Sequence, residues 1–346
     1  MRSLVHNSLA QLTLVRIREF SREPEAVFWT FAFPVLLALG LGIAFRDSGP
    51  VPVRVAVVSG AGAAGLVEAL EAAGLEPVTL GADSAAARLR RGDVGIVAEA
   101  VEGGVVYRYD PTRPDALTAR YRVDEAVQRR AGRQDVVATR DEQVTGRGSR
   151  YIDWLIPGLI GLNLLSTGLW GVGFTLVRMR TEHLMKRLMA TPMKRAEFLA
   201  SFFFGRLLFL GGELAVLLLF AALVFDVAVR GSLAALILVA VLGAFTFTAF
   251  GLLIASRART TEGVSGLMNA ASFPMWVLSG VFFSYRTFPE AVHPFIQALP
   301  LTALNDAMRA IMNDGLPLAA TLGSLAVLAA WAAGSFALAL AIFRWR

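Results

Sequence analysis

The chain has no cysteine, only three histidines (His6, His183 and His293) and only two lysines, Lys186 and Lys194. Without cysteine there is no disulfide framework and no thiolate chemistry. Histidines so scattered do not suggest a metal site, and no serine, histidine and acid set stands out by spacing as a triad. Neither lysine follows a glycine. The phosphate-cradling loop G-x-x-x-x-G-K-[ST] is therefore missing, and the chain cannot hydrolyse ATP by that route. The first long apolar run begins only at Ala26 with no small-residue cleavage site behind a short apolar core, which argues against a cleaved signal peptide. No fixed-period repeat is present, and nothing resembles the matched halves of most secondary transporters.

What the chain has in excess is apolar surface: 55% hydrophobic residues and a mean hydropathy of +0.58. A soluble domain could not hide that much, so part of it must face another apolar phase. Charge-poor runs lie at 26–45, 155–177, 198–225, 231–256, 263–285 and 315–343, each long enough for the roughly 20 residues that cross a bilayer as a helix. Six spans put both termini on one side. With that side inside, the short inner segments carry fourteen Lys or Arg and the short outer ones three, the asymmetry that marks the cytoplasmic face. Segment 46–153 carries 15 basic and 16 acidic residues and is expected outside, because long domains cross largely regardless of charge. The basic pI near 10.2 thus reflects membrane topology and not a nucleic-acid surface.

Residues 1–24 combine Leu4, Val5, Leu9, Leu12, Val15 and Phe20 with Arg2, Arg16, Arg18 and Arg22, an interfacial helix or an inner tail that orients the first span. The outer segment alternates strand-like and helix-like stretches. "VPVRVAVVS", "LEPVTL" and "DVGIVAE" read as strands; "GLVEALEAAG", ended by Gly74, "SAAARLRRG" and "ALTARYRVDEAVQRRAG" read as helices, with a turn at Asp110-Pro111. This predicts a small α/β domain. Gly60, Gly62 and Gly65 spell G-x-G-x-x-G with Asp83 downstream, the dinucleotide fingerprint, but a tight strand-to-helix turn is the better expectation in so small an outer domain. Residues 286–314, broken by Pro289, Pro294 and Pro300, are too short for two crossings and read as a re-entrant hairpin that protein must surround.

Within the spans, Arg206 and Glu213 are ionisable and so functional candidates. Seven residues separate them, about 10.5 Å of axial rise, which predicts no tight bond between them. Instead Glu213 is expected to face another helix or a polar cavity, and Arg206 to snorkel to the cytoplasmic surface, with a satisfied packing pair as the alternative. Asn163 and Asn269 are expected to glue helices, with contact to a substrate as the alternative. Met268, Phe273 and Met275 either line an apolar cavity or simply pack.

Three stretches, "LMKRLMATPMKRAEFL", "FGLLIASRARTTEGVSGLMNAASFPMWVLSGVFFS" and "FPEAVHPFIQALPLTALNDAMRAIMNDG", together resemble the membrane subunit of type-2 ATP-binding-cassette exporters, from about residue 155 to the end. The resemblance implies an α-helical polytopic membrane protein with six transmembrane helices and a small α/β extracytoplasmic domain between helices 1 and 2. The expected parts are a cytoplasmic interfacial helix (1–24), transmembrane helix 1 (25–46), the extracytoplasmic domain (47–150) and a five-helix transmembrane domain (151–346). It further implies a coupling helix at 178–195, with Glu182, His183, Leu184, Lys186, Arg187, Thr191, Pro192 and Arg195 addressing a separate ATPase. His183-Leu184 stands where many members have Gly-Thr. The implied re-entrant segment is 286–306, before the last span, and the residues assigned to it are Pro289, Pro300, Asn305 and Arg309. Expected partners are two copies of a cytoplasmic ATPase, a second copy or paralogue of this chain, and membrane lipid, with no nucleic acid. No cofactor is expected to bind the chain directly; ATP and magnesium would act through the ATPase. The implied setting is a bacterial cytoplasmic membrane with both termini inside, and the cargo an exported amphipath, a drug-like molecule or a lipid. An ATP-independent channel or carrier and a membrane-anchored receptor or assembly factor remain the rival readings.

Overall fold

The structure is a computed structural model that describes residues 8–45, 53–134, 150–184, 187, 195–258 and 260–342. It divides into two units, Met1–Arg46 with Thr145–Arg346, and Asp47–Val144. The chain enters the first unit through α1 (Ser8–Arg22) and α2 (Pro24–Ala44), which starts on a proline whose missing N–H costs nothing at a helix N-terminus. Within α2 the turn Phe28–Ala32 widens to π-helical spacing just before Pro34, which cannot donate to the Thr30 carbonyl four residues back.

The second unit follows as β1 (Arg54–Val58), α3 (Ala63–Ala72), β2 (Glu76–Leu80), α4 (Ala82–Arg91), β3 (Ile96–Val101), β4 (Gly104–Arg108) and α5 (Pro114–Arg130). Its sheet runs β2-β1-β3-β4, with β1 parallel to β2 and β3, and β4 antiparallel to β3. Alternation along β1 sends Val55 and Val57 to one face, under Leu66 and Leu70 of α3 and Val123 of α5, and Ala56 and Val58 to the other, under Ala85 of α4. Gly74 and Gly92 follow α3 and α4 at φ +72° and +82°, the left-handed geometry that stops a helix without a Cβ penalty. Strand β4 lies in a stretch that the sequence presented only as the approach to a turn. Gly103, at φ +88°, closes a two-residue hairpin that pairs it with β3.

The first unit resumes with α6 (Tyr151–Thr181), α7 (Arg195–Phe225), α8 (Leu233–Ala255), α9 (Thr261–Leu278), the short α10 (His293–Gln297), α11 (Pro300–Met312) and α12 (Leu322–Ile342). Among the described residues five helices are long and apolar enough to cross a bilayer: α2, α6, α7 from Ala200, α8, and α12 with the turn from Leu318. The run expected as a sixth, 263–285, is helical only to Leu278, where Ser279 and Gly280 (φ +69°) turn the chain. This α9 carries Glu262, Ser265, Asn269, Ser272 and Pro274, polar content that keeps it short of the apolarity of the other five.

Helix α8 forms the centre of the bundle, with Leu236, Val239, Ala240, Ala244 and Phe247 fully buried. Helices approach through glycine: a Cβ at Gly251 of α8 would sit 2.8 Å from the Leu169 carbonyl of α6, and one at Gly243 2.8 Å from Leu304 of α11. Small residues that let backbones meet are the usual means of helix association where lipid removes the hydrophobic drive. Two prolines inside spans leave carbonyls without donors, and each is met by an asparagine. Asn163 Nδ2 donates to Thr30 O (3.2 Å), the carbonyl that Pro34 cannot reach, and Asn313 Nδ2 to Asp153 O (2.9 Å), which Pro157 leaves open.

Candidate functional site

Helices α6 and α8 both finish at one end of the first unit, together with Glu23 at the start of α2; the sequence-predicted coupling segment begins here. Arg178 bridges to Glu23 (3.0 Å) and Glu182 (3.5 Å), tying α6 to the α1–α2 junction. Arg180 donates to three carbonyls at the C-terminus of α8, Ala255 (3.1 Å), Ser256 (3.3 Å) and Ala258 (2.5 Å). A guanidinium there satisfies the orphan carbonyls of a helix end and complements its dipole. The helix then breaks at His183, which adopts φ +59°, unusual for a residue with a Cβ. Glu182 and His183 are exposed, Leu184 is half-buried and Arg187 is exposed. Lys186, Thr191 and Pro192 lie outside the described residues, as does the side chain of Arg195, the first residue of α7. Sequence reasoning passed over Arg178 and Arg180 as orienting charges.

At the opposite end, α11 acts as a polar clip. Asn305 donates to Ser279 O (3.0 Å), and a methyl group on Gly161 of α6 would collide with its Oδ1. Arg309 is 6% exposed and lies 3.6 Å above the Trp154 ring. It donates to Trp154 O (3.3 Å) and to Gly280 O, with Asp306 4.0 Å away. One side chain thereby joins α6, the turn after α9, and α11. Tyr285 hydroxyl reaches Asp306 Oδ2 at 3.3 Å. Arg150 forms a fork with Asp153 (2.8 and 3.0 Å) and donates to Phe225 O (2.9 Å), fastening the start of α6 to the end of α7. Three prolines of the hairpin start its helical pieces: Pro289 caps the turn Glu290–Val292, Pro294 opens α10 and Pro300 opens α11. The expected segment boundary at 306 falls inside α11, which runs to Met312 and is buried along almost its whole length.

In mid-helix the structure corrects one expectation. Arg206 and Glu213 form a two-pronged ion pair within α7, Nη1–Oε1 2.6 Å and Nη2–Oε2 2.8 Å, with side chains 5% and 3% exposed. Glutamate side chains on a helix lean toward its N-terminus, and the long arginine stem covers the remaining rise. Neither group snorkels. Asn163 packs α6 on α2, as above. Asn269 does not pack within the described chain: α9 buries Val264, Met268, Ser272 and Met275 and leaves Gly266, Asn269, Phe273 and Val277 exposed. Met268 and Met275 are therefore packing residues, Met268 filling the notch at Gly173 of α6, whereas Phe273 is 64% exposed.

In the α/β unit, Gly62 caps α3 at φ +89°, and a Cβ there would lie 3.1 Å from Ala100. Around Gly60 and Gly65, by contrast, a Cβ would meet no described atom within 4 Å. The fingerprint's third glycine exists for close helix packing; Gly65 has no such duty, and the motif serves here as a turn. Tyr107 of β4 is pushed up to about 12 by burial and by the Asp124 carboxylate, with the Arg120 guanidinium 5.0 Å from its ring centre.

A helical bundle of this kind defines a multi-pass membrane protein. Residues 124–341, more than half of the chain, match the family model described as ABC-2 family transporter protein, and the chain belongs to that family. Among curated proteins it is similar to ABC transporter G family member 20 of Dictyostelium discoideum, 29% identical over 170 residues. That stretch is 49% of this chain and 23% of the relative, so the chain spans about a quarter of the relative's length.

Proposed function

We propose that this chain is the membrane subunit of an ATP-driven exporter, energised by a separate cytoplasmic ATPase and paired with a second copy or paralogue of itself. Family membership supports the transporter role, and the basic asymmetry between short loops supports both termini and the 178–195 connector lying on the cytoplasmic side; the membrane proposed is a bacterial inner membrane. On that orientation the α/β unit lies outside, α9 is the sixth crossing and α10–α11 dip back from the outer face. The single observation that carries the coupling reading is the clamp of Arg178 and Arg180. A displacement applied to the connector is passed at once to α1–α2 through Glu23 and to α8 through its terminal carbonyls, while α7 begins directly after the connector. The exposed face of α9, with Asn269 among Phe273 and Val277, and the Trp170–Phe174 stack of α6 (ring centres 5.5 Å apart) offer an apolar surface with one amide. Such a surface suits an amphipathic cargo between two copies.

The test is reconstitution in liposomes with a cytoplasmic ABC ATPase that copurifies with the chain, using a fluorescent amphipathic dye. Dye movement that requires both ATP and the ATPase is expected. Movement by the chain alone would return the channel or carrier reading, and a failure of the ATPase to copurify would remove the proposal.

A further inference from the structure

Between the two partners of the buried ion pair in α7 lie Gly211 and Gly212, adjacent glycines in the middle of a membrane helix. Gly212 has a packing reason, because a Cβ there would press on the Phe31 ring of α2 at 3.3 Å. Gly211 has none: a Cβ would meet no described atom within 4 Å. Glycine pairs are among the few causes of sharp helix bends, and a helix whose glycine is not needed for contact keeps only its freedom. Arg206 and Glu213 bracket this pair on the buried face that also carries Phe202, Leu210 and Leu217, and their two-pronged bond spans it. Buried ion pairs rarely stabilise more than apolar side chains of the same size, so net stability does not explain the pair; fixing one geometry does.

We infer that α7 is a lever of two rigid halves hinged at Gly211–Gly212 and held straight by Arg206–Glu213, which act as positioning residues for transport. Resting on the export reading above, the inference adds how the stroke travels. The half Arg195–Leu210 leaves the connector, and the half from Glu213 to Phe225 is fastened by Arg150. The first half also has somewhere to go. An apolar groove of about 630 Å³, lined by Phe203, Phe204 and Leu207 of α7, Phe245 of α8 and Phe336 and Leu340 of α12, flanks it. Phe20 of α1 packs on Phe209 at 4.3 Å, tilted by 41°, and edge-on against Phe31 of α2 at 6.2 Å, so α1 bears on the first half of α7 just before the hinge, and α2 on Gly212 through Phe31.

The experiment places spin labels at Phe204 and Leu223, which are 51% and 82% exposed and about 28 Å apart along a straight helix. Their distance distribution is measured by pulsed electron resonance on the full chain in nanodiscs, without any ATPase. The parent should give one narrow peak. Removing the brace with Arg206→Met and Glu213→Leu should broaden it and add shorter distances. Adding Gly211→Ala, which has room for its methyl, should restore the narrow peak. A braceless variant as narrow as the parent, or a broad one that Gly211→Ala leaves broad, overturns the inference. Thermal unfolding of each variant separates a bent helix from a misfolded chain. None of these results depends on whether an ATPase partner copurifies.

Discussion

Replacing Arg309 by alanine tests the polar clip at the hairpin end. The substitution removes the donors to Trp154 O and Gly280 O and the cation stacked on the Trp154 ring. Hydrogen bonds from a charged donor contribute about 1.5–3 kcal/mol, and a desolvated cation over tryptophan about 2 kcal/mol. The contributions overlap on one planar group, so the combined loss is about 4 kcal/mol, close to the roughly 3–5 kcal/mol seen when one member of a buried charged cluster is deleted. For a unit of this size that lowers Tm by on the order of 10 °C. Thermal unfolding in nanodiscs, followed by tryptophan emission, reads it directly, since Trp154 is itself in the contact. Arg309→Lys should fall between, because an ammonium keeps the charge but cannot serve two carbonyls as a fork while lying flat on the ring. An Arg309→Ala chain that melts within about 2 °C of the parent, no more than the loss of one kcal/mol would give, would refute the reasoning.

Gly161→Ala should destabilise by about 1–3 kcal/mol through overpacking against Asn305, seen as a lowered melting temperature; an unchanged one would mean that α6 and α11 are not in contact. Asn313→Leu should cost about 1 kcal/mol by leaving the Asp153 carbonyl open, and a Pro157→Ala background, which restores that carbonyl's own helical donor, should remove most of the cost. A double-mutant cycle with no coupling would refute the pairing. Because folding raises the Tyr107 pKa above its ordinary value of 10.0 to about 12, the neutral phenol is the form the fold prefers. Its contribution is complete below pH 10 and is lost as pH rises through 12. Ultraviolet titration of the full chain should show the Tyr107 phenol ionising late, as the part of the high-pH signal that Tyr107→Phe removes and Asp124→Asn brings down.

The α/β unit was the most legible part, because its signals are local. Gly74 and Gly92 stop helices where only a residue without a Cβ sits easily, and a continuous apolar run such as Val55-Ala56-Val57 marks a strand buried on both faces. Strand β4 escaped because its exposed positions carry no alternation strong enough to separate "GVVYR" from the turn after it. In the membrane unit, run length found five of the six expected spans as long apolar helices among the described residues, but nearly uniform apolarity erases the periodicity that would say which face of a helix is buried. Partnerships were therefore the hardest to read. Arg206 and Glu213 were judged by axial rise alone, without side-chain lean. Pro157 and Pro34 were usable clues: a proline within a span announces a carbonyl four residues back that needs a donor, and Asn313 and Asn163 were candidates in plain view. Arg180 gave no comparable signal, since its acceptors at 255–258 lie more than seventy residues away in the chain.

The most direct test of coupling is site-specific photo-crosslinking from Arg187, exposed within the connector, in intact cells that also make the ATPase proposed as partner. A crosslink to that ATPase from Arg187, and none from Asp314 at the opposite end, is the predicted result. A crosslink from Asp314 instead, or labelling of position 187 by a reagent that cannot cross the membrane, would contradict it.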